Sequence, residues 1–268
     1  MGRLAAASCL VLCCAAPAAA ADDPLARARA LYNQRQFDAA LAAAEQARLV
    51  PTRVDGADLV AARCYLERFR ASADSEDLTN ARDRLRRLDP RKLPARERVE
   101  YIVGLGEALF FDAAFGAAAS VFDSVLLSSD SLAPSGNGEL DARERVLDWW
   151  ATAVDREARP RSDIERQSSY QRMRVRMDEE LASRPASTTA AYWLAAAAQA
   201  QGDLQAAWSA AQAGWVRAPL ARDRGAALRA DLDRLMLRAI VPDRARVLGQ
   251  PADTLRVQWE QFKELWNR

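Results

Sequence analysis

Apolar and small residues recur along this chain at helical intervals. One spacing reappears: a leading aromatic or aliphatic residue, then small or apolar residues at +3, +7 and +10. It occurs at Phe37, Ala40, Ala44 and Ala47; at Leu78, Ala81, Leu85 and Leu88; at Phe115, Ala118, Phe122 and Val125; and at Leu204, Ala207, Ala211 and Gly214. A weaker copy is Tyr170, Met173, Met177 and Glu180. Successive starts lie 41, 37, 55 and 34 residues apart (78−37, 115−78, 170−115, 204−170), a period near 34 to 41 with one insertion.

The punctuation agrees with helices. Asp23-Pro24 places a capping residue before a proline suited to a first helical position. Ser162 and Glu165 form a capping box that opens a helix running to about Ser183. Pro185, Pro219, Pro242 and Pro251 fall between periodic stretches and are expected to stop helices. The pattern predicts roughly a dozen helices and no comparable set of strands.

The preceding helices add to the repeat. Ile102, Leu105, Gly106 and Leu109 come before Ala118 and Phe122; Leu194, Ala195 and Ala198 come before Gly202-Asp203-Leu204, Ala207, Ala211 and Pro219. Ala28 and Leu31 come before Phe37-Asp38, Ala40, Ala44 and Pro51. These residues resemble the tetratricopeptide repeat, a helix-turn-helix unit of about 34 residues of the form W-x2-L-G-x2-Y, A-x3-F, then P. Small residues let the two helices of a hairpin approach, larger ones fill the gap to the next, and stacking buries a continuous core. The chain departs from the family at the Trp position, which is never Trp, and the second unit lacks the Gly-Asp turn.

The resemblance implies an all-α, right-handed solenoid of antiparallel helix hairpins with a C-terminal capping helix. Its first helices would line a concave groove for a protein or peptide partner. Groove-facing candidates are Tyr32 and Asn33 in the first unit, Val103, Glu107, Phe110 and Phe111 in the third, and Tyr192 and Gln199 in the fifth; Phe110 is better read as packing between repeats. The Lys/Asn clamp by which some relatives grip a terminal carboxylate is not evident.

Residues 1–21 read as a cleaved export signal: Arg3, an apolar run from Leu4 to Cys14, then small residues with cleavage sites near Ala20 and Ala21. That run is short of the about 20 residues that cross a bilayer. A periplasmic or secreted location follows. Lipidation is the lesser alternative, because Leu12 before Cys13 and Cys13 before Cys14 suit a lipobox poorly. Cleavage leaves Cys64 as the sole thiol, next to Tyr65 in a helical pattern, where core packing is expected. The remainder divides into an N-terminal block, 22–127, a polar loop, 128–138, and a C-terminal block, 139–268. In the last of these Leu255, Trp259, Phe262 and Trp266 form a stripe expected to seal the final face.

With 38 Lys or Arg against 37 Asp or Glu, the formal charge is +1, and basic residues alternate with acidic ones as in Arg82-Asp83-Arg84. Helix-surface ion pairs, not a nucleic-acid stripe, are expected. Histidine is absent, which excludes imidazole acid-base chemistry and histidine metal sites. Gly104-x-Gly106 lacks both the third glycine and the preceding strand of a dinucleotide fingerprint. No catalytic, metal or cofactor residues are assigned, and the expected function is a non-enzymatic scaffold. The alternatives are a module that oligomerises through its C-terminal aromatic helix and, less favoured, a glycan hydrolase using clustered carboxylates such as Asp178-Glu179-Glu180 or Asp74, Glu76 and Asp77.

Overall fold

A computed structural model describes residues 23–128 and 142–266; the stretch 1–21 expected to be an export signal and the polar run from 129 to 138 lie outside the described residues. Every regular element among the described residues is helical: α1 (Pro24–Asn33), α2 (Phe37–Arg48), α3 (Val54–Ser72), α4 (Ser75–Arg87), α5 (Ala95–Phe111), α6 (Phe115–Leu127) and α7 (Ala142–Ala158). There follow α8 (Asp163–Ser183), α9 (Thr188–Ala200), α10 (Leu204–Arg217), α11 (Gly225–Leu235), α12 (Val241–Leu248) and α13 (Ala252–Trp266). Among them none is long and apolar enough to cross a membrane.

The capping chemistry read from the sequence is present. Asp23 accepts from the Leu25 amide at 3.0 Å ahead of Pro24, and Ser162 and Glu165 close a reciprocal capping box on α8. Three turns are built alike. After α1, α5 and α9 the chain makes a Schellman motif, with paired bonds Arg35 to Tyr32 and Gln36 to Leu31, Ala113 to Phe110 and Ala114 to Leu109, and Gly202 to Gln199 and Asp203 to Ala198. The left-handed residue is Arg35, Ala113 or Gly202; the α3–α4 turn uses Ala73 with the single Ala73 to Phe69 bond. Of these four residues, Gly202 alone occupies that region without a Cβ penalty.

The residues of the recurrent spacing lie on α2, α4, α6, α8 and α10 and face inward. Ala40, Ala44, Ala47, Ala81, Ala118, Phe122, Met173, Met177, Ala207 and Ala211 have no exposed surface. Phe37, Phe115 and Leu204, which open three of the copies, are half-buried. Where the small residues fall, helices touch: a Cβ on Gly106 of α5 would stand 2.5 Å from the Phe122 ring of α6. Glu180, the polar member of the weaker copy, is buried against Arg143 of α7. That guanidinium gives Nε to Oε1 at 2.9 Å and Nη2 to Oε2 at 2.8 Å, and its Nη1 donates to the Leu126 carbonyl at 2.9 Å. Burial alone would raise the Glu180 carboxyl, but Arg143 and Arg184 hold it below the ordinary carboxylate range.

Pro185 and Pro251 fall in breaks, and Pro219 lies in a short 3-10 segment from Ala218 to Arg224. Pro242 does not stop a helix. The chain runs from α11 through a π-helical turn, Met236–Ile240, straight into α12, with the Val241 amide bonded to the Met236 carbonyl. Proline lacks an N–H and its ring crowds the carbonyl four residues back; a wider turn just before it relieves both, so the helix continues.

The C-terminal stripe is absorbed in part. Leu255 and Trp259 are buried, and Trp259 meets Trp215 at 5.4 Å and Phe262 at 5.5 Å while its indole N–H donates to Asp233 at 2.8 Å. Trp266 is 49% exposed and Leu265 72%. Cys64 is fully buried, and burial pushes its thiol up to about 12, so it packs as a small apolar group.

Candidate functional site

Consecutive helices pack on one another, and so do alternate ones: α1 on α3, α3 on α5, α5 on α7, α7 on α9 and α9 on α11. The odd-numbered helices α1 to α11 therefore form an unbroken series of neighbours. Four of them meet in a polar strip. At the end of α1, Tyr32 lies beneath the guanidinium of Arg63 from α3, whose central carbon is 4.2 Å from the ring centroid. Arg63 Nη1 reaches across to Glu100 of α5 at 2.6 Å. Glu67, one turn along α3, pairs with Arg70. Glu107 of α5 interacts with Glu67, Arg63, Arg70 and, from α7, Arg145.

Desolvation governs this strip. Burial, with Arg63 opposing and Glu107 and Glu67 reinforcing it, drives the Tyr32 hydroxyl up to about 12, so it remains a neutral donor. Burial, followed by the like charge of Glu67, lifts Glu107 from about 4.5 to about 7. Glu107 keeps part of its surface toward water yet has no cation at ion-pair distance among the described residues. Such a carboxyl is about half charged at neutral pH, a state that perturbed groups at binding and catalytic sites often show.

Beside the charges runs an aromatic seam. Phe111 meets Phe69 edge-on at 4.8 Å and Trp149 at 5.6 Å; Phe110 meets Trp149 at 4.8 Å and Phe115 at 5.1 Å. Phe110 thus does the packing expected of it, and Phe111, read as groove-facing, is committed to much the same cluster. Val103 packs against the large core.

Of the residues read from the sequence, Tyr32 and Glu107 come together, and Asn33 is exposed at the last position of α1. Tyr192 belongs to a separate group on α9: its ring meets Trp193 at 5.6 Å, and the Trp193 indole donates to Asp148 of α7 at 2.8 Å. Burial raises the Asp148 carboxyl despite that bond. Gln199 is held by its own chain, donating to Asp243 of α12 at 2.8 Å. The sequence reading missed Arg63, Glu67 and Arg145 because it took candidates from the first, third and fifth hairpins only. The i,i+4 pair of charges on the same face of α3 was the available signal.

Three of the clustered carboxylates have structural partners. Asp74 caps α4 through the Glu76 amide at 3.0 Å, Asp77 binds Arg68 at 3.1 Å, and Glu180 is the partner of Arg143. Arginines elsewhere tie helix to helix, as Arg84 does to Asp58 at 2.7 Å and to Glu45 at 2.5 Å. What the strip offers chemically is hydrogen bonding, charge pairing and aromatic contact for a ligand laid across four helices. In comparisons with known protein families, with curated proteins and with solved structures, nothing matches this chain.

Proposed function

We propose that this protein is an exported, non-enzymatic scaffold of tetratricopeptide type. In this reading helix hairpins α1–α2 to α9–α10 stack as a right-handed solenoid, and the odd-numbered helices line a concave groove that holds a protein or peptide partner. The observation that carries the reading is that alternate helices α1, α3, α5, α7 and α9 pack on one another, with Arg63 of α3 lying over Tyr32 of α1 and bonded to Glu100 of α5 at 2.6 Å. Like turns after α1, α5 and α9 support the repeat, since identical Schellman bonds recur at corresponding places. Cell-envelope assembly or secretion is the setting that an export signal and a groove without reactive groups favour.

The test is capture from envelope extract of the cells that make the protein. Wild type is compared with Glu107→Lys plus Arg145→Glu on the odd-helix face, and with Ser168→Lys plus Arg172→Glu on α8. A partner lost only from the first variant supports the groove. A partner lost only from the second, or retained by both, removes it.

A second reading has its own observation. Leu265 and Trp266 are largely exposed at the end of α13, and an apolar helix end of this kind can join two copies. Light scattering on Leu265→Ser plus Trp266→Ser separates the readings: a halved mass supports self-association, and an unchanged mass opposes it.

A further inference from the structure

We propose that the cleft between the 3-10 segment Ala218–Arg224 and α13 binds a small organic anion, a carboxylate or phosphate monoester that carries an apolar body. The proposal is independent of the groove reading above. The cleft has a volume of about 620 Å³, a size suited to a small organic molecule. Trp215 of α10 lies in its wall, with Ala218, Pro219 and Arg222 of the 3-10 segment, Arg229 of α11 and Lys263 of α13.

The buried side of this cleft lacks an acceptor. Trp215 is 7% exposed, and its indole N–H, which has no surface of its own, has no hydrogen-bond partner among the described residues. A buried donor in that state costs stability until an acceptor reaches it. Arg229 is fixed over the same ring, its central carbon 5.1 Å from the centroid and its Nε donating to the Trp215 carbonyl at 3.4 Å. Among the described residues the Arg222 side chain has neither hydrogen bond nor ion pair.

Two carboxylates complete the charged lining. Glu260 is held by Lys263 at 2.8 Å, and Lys263 also reaches Asp233 at 2.7 Å. Glu264 is exposed, so water solvates it without a partner. An anionic ligand meets the indole N–H and two guanidiniums, while Ala218, Pro219 and Ala226 offer apolar surface for its body. A cationic ligand would leave the indole N–H unmet and bring its charge beside Arg222 and Arg229.

The backbone adds an independent sign. Arg222 has φ 51° and ψ −125°, a conformation that residues with a Cβ rarely adopt. The segment around it is closed tightly on itself: a Cβ on Gly225 would stand 2.2 Å from the Ala218 carbonyl oxygen. Glycine at 222 would relieve the strain, yet the chain places a guanidinium there, and strain of this kind gathers at ligand sites.

The experiment is two-dimensional proton–nitrogen NMR on the full chain, following the Trp215 indole resonance through titrations at neutral pH with hexanoate, hexyl phosphate, hexanol and hexylamine. Hexanoate or hexyl phosphate is expected to shift that resonance to saturation, and the tighter of the two distinguishes carboxylate from phosphate recognition. Hexanol and hexylamine are expected to bind at least about tenfold more weakly. Arg222→Gly is expected to weaken binding of the preferred anion about tenfold while raising the melting temperature. Arg222→Gln, which leaves the backbone strained, should lose the same affinity without the gain in stability. An unmoved Trp215 resonance with every ligand, hexanol or hexylamine binding as tightly as the anions, or unchanged anion affinity in both Arg222 variants overturns the proposal.

Discussion

Between Leu25 and Ala108 the core is divided into two small clusters, one mostly alanine around Ala40, Ala44 and Ala61, the other mostly leucine around Leu59, Leu66 and Leu85. From Ala118 to Trp259 a single cluster runs without interruption and includes Phe122, Trp150, Met173, Met177, Trp208, Trp215 and Trp259. The first region joins its helices through partly exposed arginine pairs, Arg29 with Glu97, Arg63 with Glu100, Arg68 with Asp77 and Arg82 with Asp112. Exposed pairs of this sort contribute about 0 to 1 kcal/mol each, far less than buried aromatic area. The larger continuous core lies with the C-terminal helices, and the polar strip sits mainly on the helices with the thinner one.

The strongest challenge to that division is Trp259→Ala. Truncating a fully buried indole that also binds Asp233 should destabilise by about 4 kcal/mol in equilibrium urea unfolding; a loss under about 1 kcal/mol would mean that α13 does not seal the large cluster. Next is Glu180→Ala, expected to cost about 3 kcal/mol at neutral pH because it removes the carboxylate that faces the buried Arg143 guanidinium. The Glu180 carboxyl lies below its unfolded value, so its contribution is present above the unfolded pKa and is lost as pH falls through the folded one. The penalty of Glu180→Ala should therefore shrink in acid.

Gly106→Ala comes third, at about 2 kcal/mol: its methyl would overlap the Phe122 ring, which is fully buried and has nowhere to move. This contact joins α5 to α6, where the two regions meet, and a lost baseline before the main unfolding transition would show them uncoupling. Smallest is the pair Ala113→Gly and Gly202→Ala, matched turns in the two regions. The first relieves a left-handed alanine and should stabilise by up to about 1 kcal/mol; the second should destabilise by about as much.

The helices were legible because their apolar periodicity survives in every hairpin, and the caps at Asp23 and Ser162 mark their starts directly. Glu180 looked like an imperfection in the repeat, since a sequence cannot display that Arg143 of the preceding helix stands opposite it. Pro242 misled for a related reason: a π turn in Met236–Ile240 accommodates it, and nothing in the local residue pattern announces a change from four-residue to five-residue hydrogen bonding. Of the strip, Tyr32 and Glu107 could be read from their unit positions. Arg63, Glu67 and Arg145 escape a reading by unit position, because the α3 and α7 units carry no recognisable first-helix motif; for Arg63 and Glu67 the i,i+4 charge spacing is the one local signal. Gln199 had the right periodic position and was nonetheless claimed by Asp243, a long-range contact outside any repeat rule.

The most direct measurement of what the polar strip costs the fold is the unfolding free energy of wild type and Glu107→Gln across pH 4 to 8. The folded carboxyl titrates at about 7 against an unfolded value of about 4.5, so the native state binds the extra proton and wild-type stability should fall as pH rises through that window. Glu107→Gln cannot ionise, so its advantage over wild type should be small at pH 4, grow between pH 4.5 and 7, and level off above. A difference that stays flat across the range, or that favours wild type at pH 8, would contradict the claim that the fold bears a carboxylate at Glu107 whose ionised form burial disfavours.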